Sequence, residues 1–252
     1  MPERTYSIVI PAYNEEERIS SGLDQVLAFV AQRRWSAEII VVNDGSRDRT
    51  ADIVREYALR HSNLRLLDNP GNRGKGYSVR NGVLHAIGDY ILFSDADLSS
   101  PIEESIKLFA EIDKGADVAI GSRWVRPETM TERQPIFRQI AGRLYNIVNR
   151  VLLRLPYRDT QCGLKAFAKK AAYAVFLRQK IERWGFDPEI LFIARKCKYK
   201  IAEVPVTWAH DDRSKIHPLL DGIKMFWEVL YIRWNALTGK YNIRGTPTAL
   251  TA

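Results

Sequence analysis

The 252-residue chain holds only two cysteines, Cys162 and Cys197, far apart. A disulfide framework is therefore excluded as a source of stability. Two free thiols in a reducing compartment is the simpler reading, and one disulfide is the alternative. The four histidines, His61, His85, His210 and His217, show no ligand spacing and read as structural or surface residues. No stretch of about 18 residues is free of charge, so no transmembrane helix is predicted. The opening Met-Pro-Glu-Arg-Thr has no apolar signal region. Internal repeats are absent. So are the G-x-x-x-x-G-K-[ST] loop and the G-x-G-x-x-G fingerprint, which leaves two common nucleotide motifs out of account.

What is present begins with ordinary globular content, 46% hydrophobic and 27% charged, enough for one large core or a core with a small appendage. The net charge of +8 is uneven. Arg123 to Arg158 contains eight arginines and two acids, Glu128 and Glu132, and so carries +6. Such a field favours an anionic partner: a membrane surface, lipid phosphate or nucleic acid. The bland alternative is a solvated basic face. Because the segment is apolar on one side and has no nucleic-acid motif, nucleic acid is not the expected partner.

Apolar strands and amphipathic helices alternate through the first half. Strands are predicted at Tyr6–Pro11, Glu38–Asn43, Leu64–Asp68, Tyr90–Phe93 and Asp117–Gly121. Helices are predicted over about 15–33, 48–61 (capped by Ser46 or Asp48), 76–87 and 101–114. The alternation implies an α/β fold, a mostly parallel sheet with helices on both faces. Ligands bind such sheets beyond the carboxyl ends of the strands. The polar clusters Asn14-Glu15, Asn43-Asp44-Gly45-Ser46 and Asp95-Ala96-Asp97 all fall there.

After Gly121 the alternation stops. Residues 137–155 form an amphipathic helix, with Phe137, Ile140, Ala141, Leu144, Val148, Val151, Leu152 and Leu155 on one face. Gln139, Arg143, Asn146, Arg150 and Arg154 lie opposite. A strand is read at 162–167, helices at about 169–177 and 187–198, and an edge strand at 201–208, where Pro205 sits. Pro218 opens a helix to about Leu237 with a narrow polar stripe (Lys224, Glu228, Asn235) and Trp and Tyr toward its end. It suits a membrane interface; packing across the core or in a dimer is the alternative. The tail 242–252 reads as disordered.

Asp95 and Asp97 end an apolar strand. Two aspartates so close repel unless a cation joins them, and oxygen ligands with open positions suit Mg²⁺ or Mn²⁺. Such a metal neutralises charge on a diphosphate leaving group. Asp44 is either a turn acceptor or a partner for a base or ribose. The turn Asn72-Arg-Gly-Lys-Gly76 is either a phosphate cradle including Lys75 or a simple turn.

Together these motifs resemble the inverting family 2 glycosyltransferases of the GT-A fold. The resemblance rests on Ile8-Val-Ile-Pro-Ala-Tyr-Asn-Glu15, Val41-Val-Asn-Asp-Gly-Ser46, Asn72–Gly76, Asp95-Ala-Asp97 and Gly121-Ser-Arg123. Further motifs are similar to the dolichyl-phosphate β-glucosyltransferases: Arg158-Asp-Thr-Gln-Cys-Gly-Leu-Lys-Ala-Phe167, Glu182-Arg-Trp-Gly-Phe-Asp187, Glu203–Trp208, Ser214-Lys215 and Leu237-Thr-Gly239. The resemblance implies a single domain over 1–241, with a nucleotide-sugar half (5–122) and an acceptor half (123–241). It implies glucose transfer from UDP-glucose to a polyprenyl phosphate with inversion. Pro11, Tyr13, Glu15, Val42, Asp44, Lys75 and Ala96 would line the nucleotide sugar, and Asp95 and Asp97 would hold metal and diphosphate. The related mannosyltransferases, which use GDP-mannose, often have Gln where this chain has Ser99. The glucosyltransferases tend to have Gly where it has Arg213. They usually carry an N-terminal membrane anchor; nothing before Tyr6 resembles one, so a peripheral enzyme on the cytoplasmic side of a membrane is the expectation. Homo-oligomers stay open.

A monoalkyl phosphate has a second pKa of about 6, like a phosphorylated side chain, so it is already nucleophilic near neutral pH. It needs clamping and orientation rather than a base. By resemblance, Arg123 and Arg138 hold the acceptor phosphate, with Arg143, Arg133, Arg213 and Lys215 as further cations. Asp187 or Asp159 orients donor hydroxyls; a helix cap is the other reading of Asp187. Rival functions are transfer to a sugar hydroxyl, with Asp187 as base, and nucleotidyl transfer with release of pyrophosphate.

Overall fold

A computed structural model describes residues 4–125, 136–209 and 218–242, with side chains at all of these but 136–141 and 218–223. The elements run β1 (Thr5–Ala12), α1 (Ile19–Arg33), β2 (Ser36–Asn43), α2 (Thr50–Arg60), β3 (Leu64–Asp68), α3 (Lys75–His85), β4 (Tyr90–Phe93), α4 (Ser105–Asp113), β5 (Val118–Ser122) and α5 (Ile136–Leu153). Then come β6 (Lys165–Ala168), α6 (Lys169–Phe176), α7 (Phe186–Lys196), β7 (Ile201–Pro205) and α8 (Pro218–Leu237). Arg133, Arg213, Lys215 and the tail after Asn242 lie outside the described residues, as do the side chains of Phe137, Arg138, Ile140 and Ala141.

The strands form one seven-stranded sheet in the order β3-β2-β1-β4-β6-β5-β7. Every neighbouring pair is parallel except those made by β6, which runs antiparallel between β4 and β5. Alternate residues serve opposite faces, as strand geometry requires. Val9, Ile40, Val42, Ile91, Phe93 and Phe167 pack against α3, α6 and α7. Ile8, Ile10, Ile39, Val41, Leu92 and Ala166 face α1, α2 and α4. This two-sided burial is why the strands read as continuous apolar runs rather than alternating ones.

Two features of the topology place the site. Chain order runs outward from β1 through β2 to β3, then returns to put β4 on the other side of β1, a switch point whose carboxyl end opens a crevice. The reversed direction of β6 carries its leading loop, 158–164, to the same end of the sheet. The sequence reading extended this strand back to Cys162; Cys162–Leu164 instead lie before it, at the crevice. The strand expected at 201–208 is the sheet edge, as predicted, and ends at Pro205.

α5 departs from its expected orientation. Asn146 and Asn149, on or near the predicted polar face, are buried. Asn146 Oδ1 accepts from the Thr160 amide (3.1 Å) and hydroxyl (2.8 Å), and Asn149 donates to Thr160 Oγ1 (3.1 Å). Leu144, Ile147 and Val151 are turned to solvent instead. A wheel plot sorts residues by polarity, but here hydrogen bonds to a buried loop decide which side faces in.

Candidate active site

Asp95 and Asp97 leave the end of β4 beside the end of β1, joined to it by the bond from the Ser94 amide to the Val9 carbonyl (3.0 Å). Each carboxylate has a cation. Lys75 Nζ, from the first turn of α3, lies 2.5 Å from Asp95 Oδ1. Arg18 Nη1, at the start of α1, lies 3.7 Å from Asp97 Oδ2, while its Nε pairs closely with Glu15. The Ser99 amide donates to Asp97 Oδ1 (2.9 Å). Burial, and then the neighbouring Asp95, push the Asp97 carboxyl above its ordinary value. Burial alone would lower the Lys75 ammonium, but Asp95 and Asp187 outweigh it and hold Lys75 above its usual range.

The carboxylates fit a hard divalent cation. Asp95 Oδ1 is buried and meets the Lys75 ammonium, and the adjacent Asp97, itself buried, is destabilised as an anion by that neighbour. A divalent cation held by Asp95 and Asp97 would offset their mutual repulsion and leave positions for phosphate oxygens. Among the described residues no third His, Cys, Asp or Glu joins the pair in a cluster.

Backbone closeness fixes Asp95 as well. A Cβ placed on Gly163 would lie 2.0 Å from Asp95 Oδ2, so the loop before β6 presses against the carboxylate. Gly163 was part of a motif in the sequence, but nothing there revealed its contact; the reversed strand direction did.

Asp44 is engaged within the chain, as its turn-acceptor reading implied. It is buried, and its Oδ1 accepts from Asn69 Nδ2 and the Arg73 amide (both 2.9 Å), its Oδ2 from the Gly74 amide (2.7 Å). The carboxylate thus shapes the Gly-rich turn that launches α3 and Lys75. Gly74 sits at φ +107°, a left-handed region open to glycine at little cost, with the Glu182 carbonyl where a Cβ would go. The turn docks on 179–184: the Tyr77 amide donates to the Glu182 carbonyl (2.9 Å), and Arg73 forks onto Glu182 (2.5 and 3.2 Å).

Tyr13 and Pro11 are half-buried at the end of β1. Val42 is fully buried in the core, opposite Pro11 in register, so only its backbone can reach a ligand. Ala96 is buried between the two aspartates. The loops after β1 and β2 interlock: the Asn14 amide donates to Ser46 Oγ (3.0 Å), the Arg47 amide to Asn14 Oδ1 (2.8 Å) and the Glu15 amide to Thr50 Oγ1 (2.7 Å). They wall a polar cavity of about 440 Å³ lined by Asn14, Glu15, Glu16, Arg18, Arg47 and Asp48, among others. Asp48 lines the cavity and accepts from the Thr50 amide and hydroxyl (3.0 and 2.5 Å), but the residue capping α2 is Arg49, so neither Ser46 nor Asp48 is its cap.

Arg123 follows β5. Its guanidinium grips the fully buried Asp159 through Nε (2.7 Å) and Nη2 (2.9 Å) and lies 5.4 Å from the centre of the Trp208 ring. Asp159, and more weakly Asp95, raise the Arg123 pKa against the effect of burial. Arg143 is exposed on α5, its guanidinium 4.8 Å from the centre of the Trp124 ring, so α5 meets the end of β5 here. Asp187, in the first turn of α7, is buried 2.5 Å from Lys165 Nζ, which is itself fully buried and donates also to the Cys162 carbonyl (2.6 Å). Asp187 therefore faces a lysine rather than open solvent.

Residues 7–176 match the family described as Glycosyl transferase family 2. The chain is 38% identical over 242 residues to a dolichyl-phosphate beta-glucosyltransferase of Trichomonas vaginalis, covering 92% of this chain and 73% of that one. It is 36% identical over 256 residues to the Saccharomyces cerevisiae protein of that name, covering 93% and 76%, and 32% identical over 262 residues to the human one, covering 97% and 80%. Among solved structures, glucosyl-3-phosphoglycerate synthase of Mycobacterium tuberculosis, solved with Mn²⁺, UDP and glucosyl-3-phosphoglycerate, aligns with a TM-score of 0.62 at 22% identity, covering 96% and 82%. A Pyrobaculum calidifontis mannosyltransferase solved with GDP-mannose and Mn²⁺ aligns at 0.58 and 18%, covering 93% and 70%; these two likenesses establish the fold. The chain belongs to glycosyl transferase family 2 and is a glycosyltransferase of the GT-A fold.

Proposed function

We propose that the protein transfers glucose from UDP-glucose to a polyprenyl phosphate, dolichyl or undecaprenyl, with inversion, at the cytoplasmic face of a membrane. The observation that carries the choice of acceptor is the pairing of the acids around the crevice. Asp95 meets Lys75, Asp97 and Glu15 meet Arg18, Asp159 meets Arg123, and Asp187 meets Lys165. No one of these five is poised as a general base, which a sugar hydroxyl requires and a phosphate dianion does not. Likeness over nearly the whole chain to relatives named dolichyl-phosphate beta-glucosyltransferases supports the same reading.

Asp95 and Asp97 would hold Mg²⁺ or Mn²⁺, which supplies neutralisation of the departing diphosphate. The chain's own part is positioning. Tyr13 offers a ring for stacking, and Pro11, Glu15, Ala96 and the Val42 backbone line the same end of the sheet. Asp44 acts at one remove by fixing the turn that presents Lys75. The amino terminus of α3 adds its positive end beside Lys75, a setting suited to diphosphate. Arg123 would direct an N–H at the acceptor phosphate while Asp159 fixes its plane. Arg143, Arg138, Arg213 and Lys215 are the further clamps in this reading.

The outward ridge supports a membrane-bound acceptor. Val151 on α5 is 69% exposed, and Trp227 and Leu237 on α8 are 64% and 78% exposed, with Trp234 and Tyr231 beside them. No helix among the described residues is long and apolar enough to cross a membrane, so this ridge would lie in the interface. The test offers UDP-glucose and GDP-mannose in parallel with a polyprenyl phosphate and Mn²⁺ or Mg²⁺. Glucosyl lipid from UDP-glucose is the expected product. Mannosyl lipid alone would reassign the donor, and no lipid product from either donor would overturn the proposal.

A further inference from the structure

The two cations beside the aspartate pair have a consequence for how a metal enters. Lys75 Nζ lies 2.5 Å from Asp95 Oδ1, and Arg18 Nη1 lies 3.7 Å from Asp97 Oδ2. Both side chains are largely buried, so their charges are poorly screened. They arise from opposite sides of the crevice, at the starts of α1 and α3. The carboxylate pair is thus neutralised by the chain itself.

A divalent cation arriving alone meets two repelling positive charges and must displace Lys75 from the oxygen it would bind. A nucleoside diphosphate changes that balance, because its anionic oxygens offer Lys75 another partner. Lys75 suits the exchange: its ammonium sits on a flexible four-carbon stem. Asp44 and the Gly74 turn fix the base of that stem while leaving its end movable.

We propose that Lys75 is the coupling residue of the donor site, a resident cation that holds off the metal until a diphosphate draws it away. This rests on the reading of Asp95 and Asp97 as the metal-diphosphate site. Metal and nucleoside diphosphate then bind with strong mutual cooperativity, each strengthening the other by the same factor, as linkage requires. Arg18, shared with Glu15, supports the same balance without leaving its place.

Calorimetric titration of Mn²⁺ and UDP, each alone and each with the other saturating, tests this on the wild-type chain, Lys75→Met and Lys75→Arg. Wild type should bind Mn²⁺ weakly alone and much more tightly with UDP. Lys75→Met should bind Mn²⁺ alone about tenfold or more tighter than wild type, since an adjacent like charge is gone. Its affinity for UDP should fall, and the coupling between the two ligands should shrink to what direct contact between metal and diphosphate supplies. Lys75→Arg keeps the charge and should keep most of the coupling, which shows that the position tolerates substitution. Unchanged or weaker Mn²⁺ binding by Lys75→Met without UDP, in a wild-type background that binds Mn²⁺ with UDP normally, would overturn this inference alone. A wild-type chain that binds no UDP even with Mn²⁺ would overturn the donor-site reading, and this inference with it.

Discussion

At the scale of single residues, close approach and buried charge make the sharpest predictions. Gly163→Ala puts a methyl where Asp95 Oδ2 stands, 2.0 Å away, so the carboxylate must swing aside. Transfer should fall by roughly 10²-fold, the scale of a 1 Å misplacement at a catalytic centre. Mn²⁺ binding in the presence of UDP should weaken in parallel, as titration would show. Asp187→Asn leaves Lys165, fully buried, without its counter-charge. That should cost on the order of 3–5 kcal/mol of stability in a urea melt. Folded protein should still transfer glucose to lipid phosphate at a measurable rate; an essential base role would instead drop transfer to background while the metal site stays intact.

Glu189 supplies a pH prediction of the same scale. It is buried in α7 and accepts from the Lys180 amide (3.0 Å), the Ile181 amide (2.9 Å) and the Tyr241 hydroxyl (2.7 Å). Burial outweighs these bonds and lifts its pKa from 4.5 to about 7. A carboxyl raised in the fold contributes stability below its unfolded value and loses it as pH rises through the folded one. Stability should therefore decline between about pH 4.5 and pH 7, by a few kcal/mol if nothing else titrates. Thermal melts of Glu189→Gln should lose that slope; an unchanged slope would assign it to another group.

At the scale of elements, α5 and α8 pack on each other and on α7, and both leave apolar side chains in water. On α8 the exposed positions Trp227, Tyr231 and Trp234 share one stripe, while Val229, Ile232 and Asn235 face in. Removing a large apolar side chain from the interface gives up roughly 2 kcal/mol of transfer free energy. Trp227→Ala with Trp234→Ala should therefore reduce partitioning onto lipid vesicles by at least about tenfold. Sedimentation with liposomes measures this, and unchanged partitioning would place the ridge elsewhere, in a dimer interface for instance. The exposed aromatic residues of α8 were legible from its apolar sequence with Trp and Tyr toward the end, but Asn235, read as part of its polar stripe, is buried. The orientation of α5 was not legible, because Asn146 and Asn149 take their direction from Thr160, in a loop the periodicity cannot see. Which turn Asp44 serves was hidden for a similar reason: its partners, Asn69, Arg73 and Gly74, lie some 25 to 30 residues away.

At the scale of the whole molecule, strand–helix alternation foretold the sheet, and apolar runs foretold its two-sided burial. Asp95-Ala96-Asp97 at the end of such a run foretold the crevice. What the alternation could not supply was the direction of β6, since a short strand such as Lys-Ala-Phe-Ala reads alike either way. That direction turns 158–164 toward the crevice and brings Asp159, Gly163 and, through Lys165, Asp187 to it. The resulting site is one in which named acids are held by cations. The account's central claim is that such a site serves an acceptor needing no base. One assay confronts it directly: UDP-glucose and Mn²⁺ with either a polyprenyl phosphate or the matching polyprenol alcohol, scored as glucose entering the organic phase. The account predicts β-linked glucosyl phosphate from the phosphate and nothing from the alcohol. Transfer to the alcohol, with the phosphate inert, would contradict it.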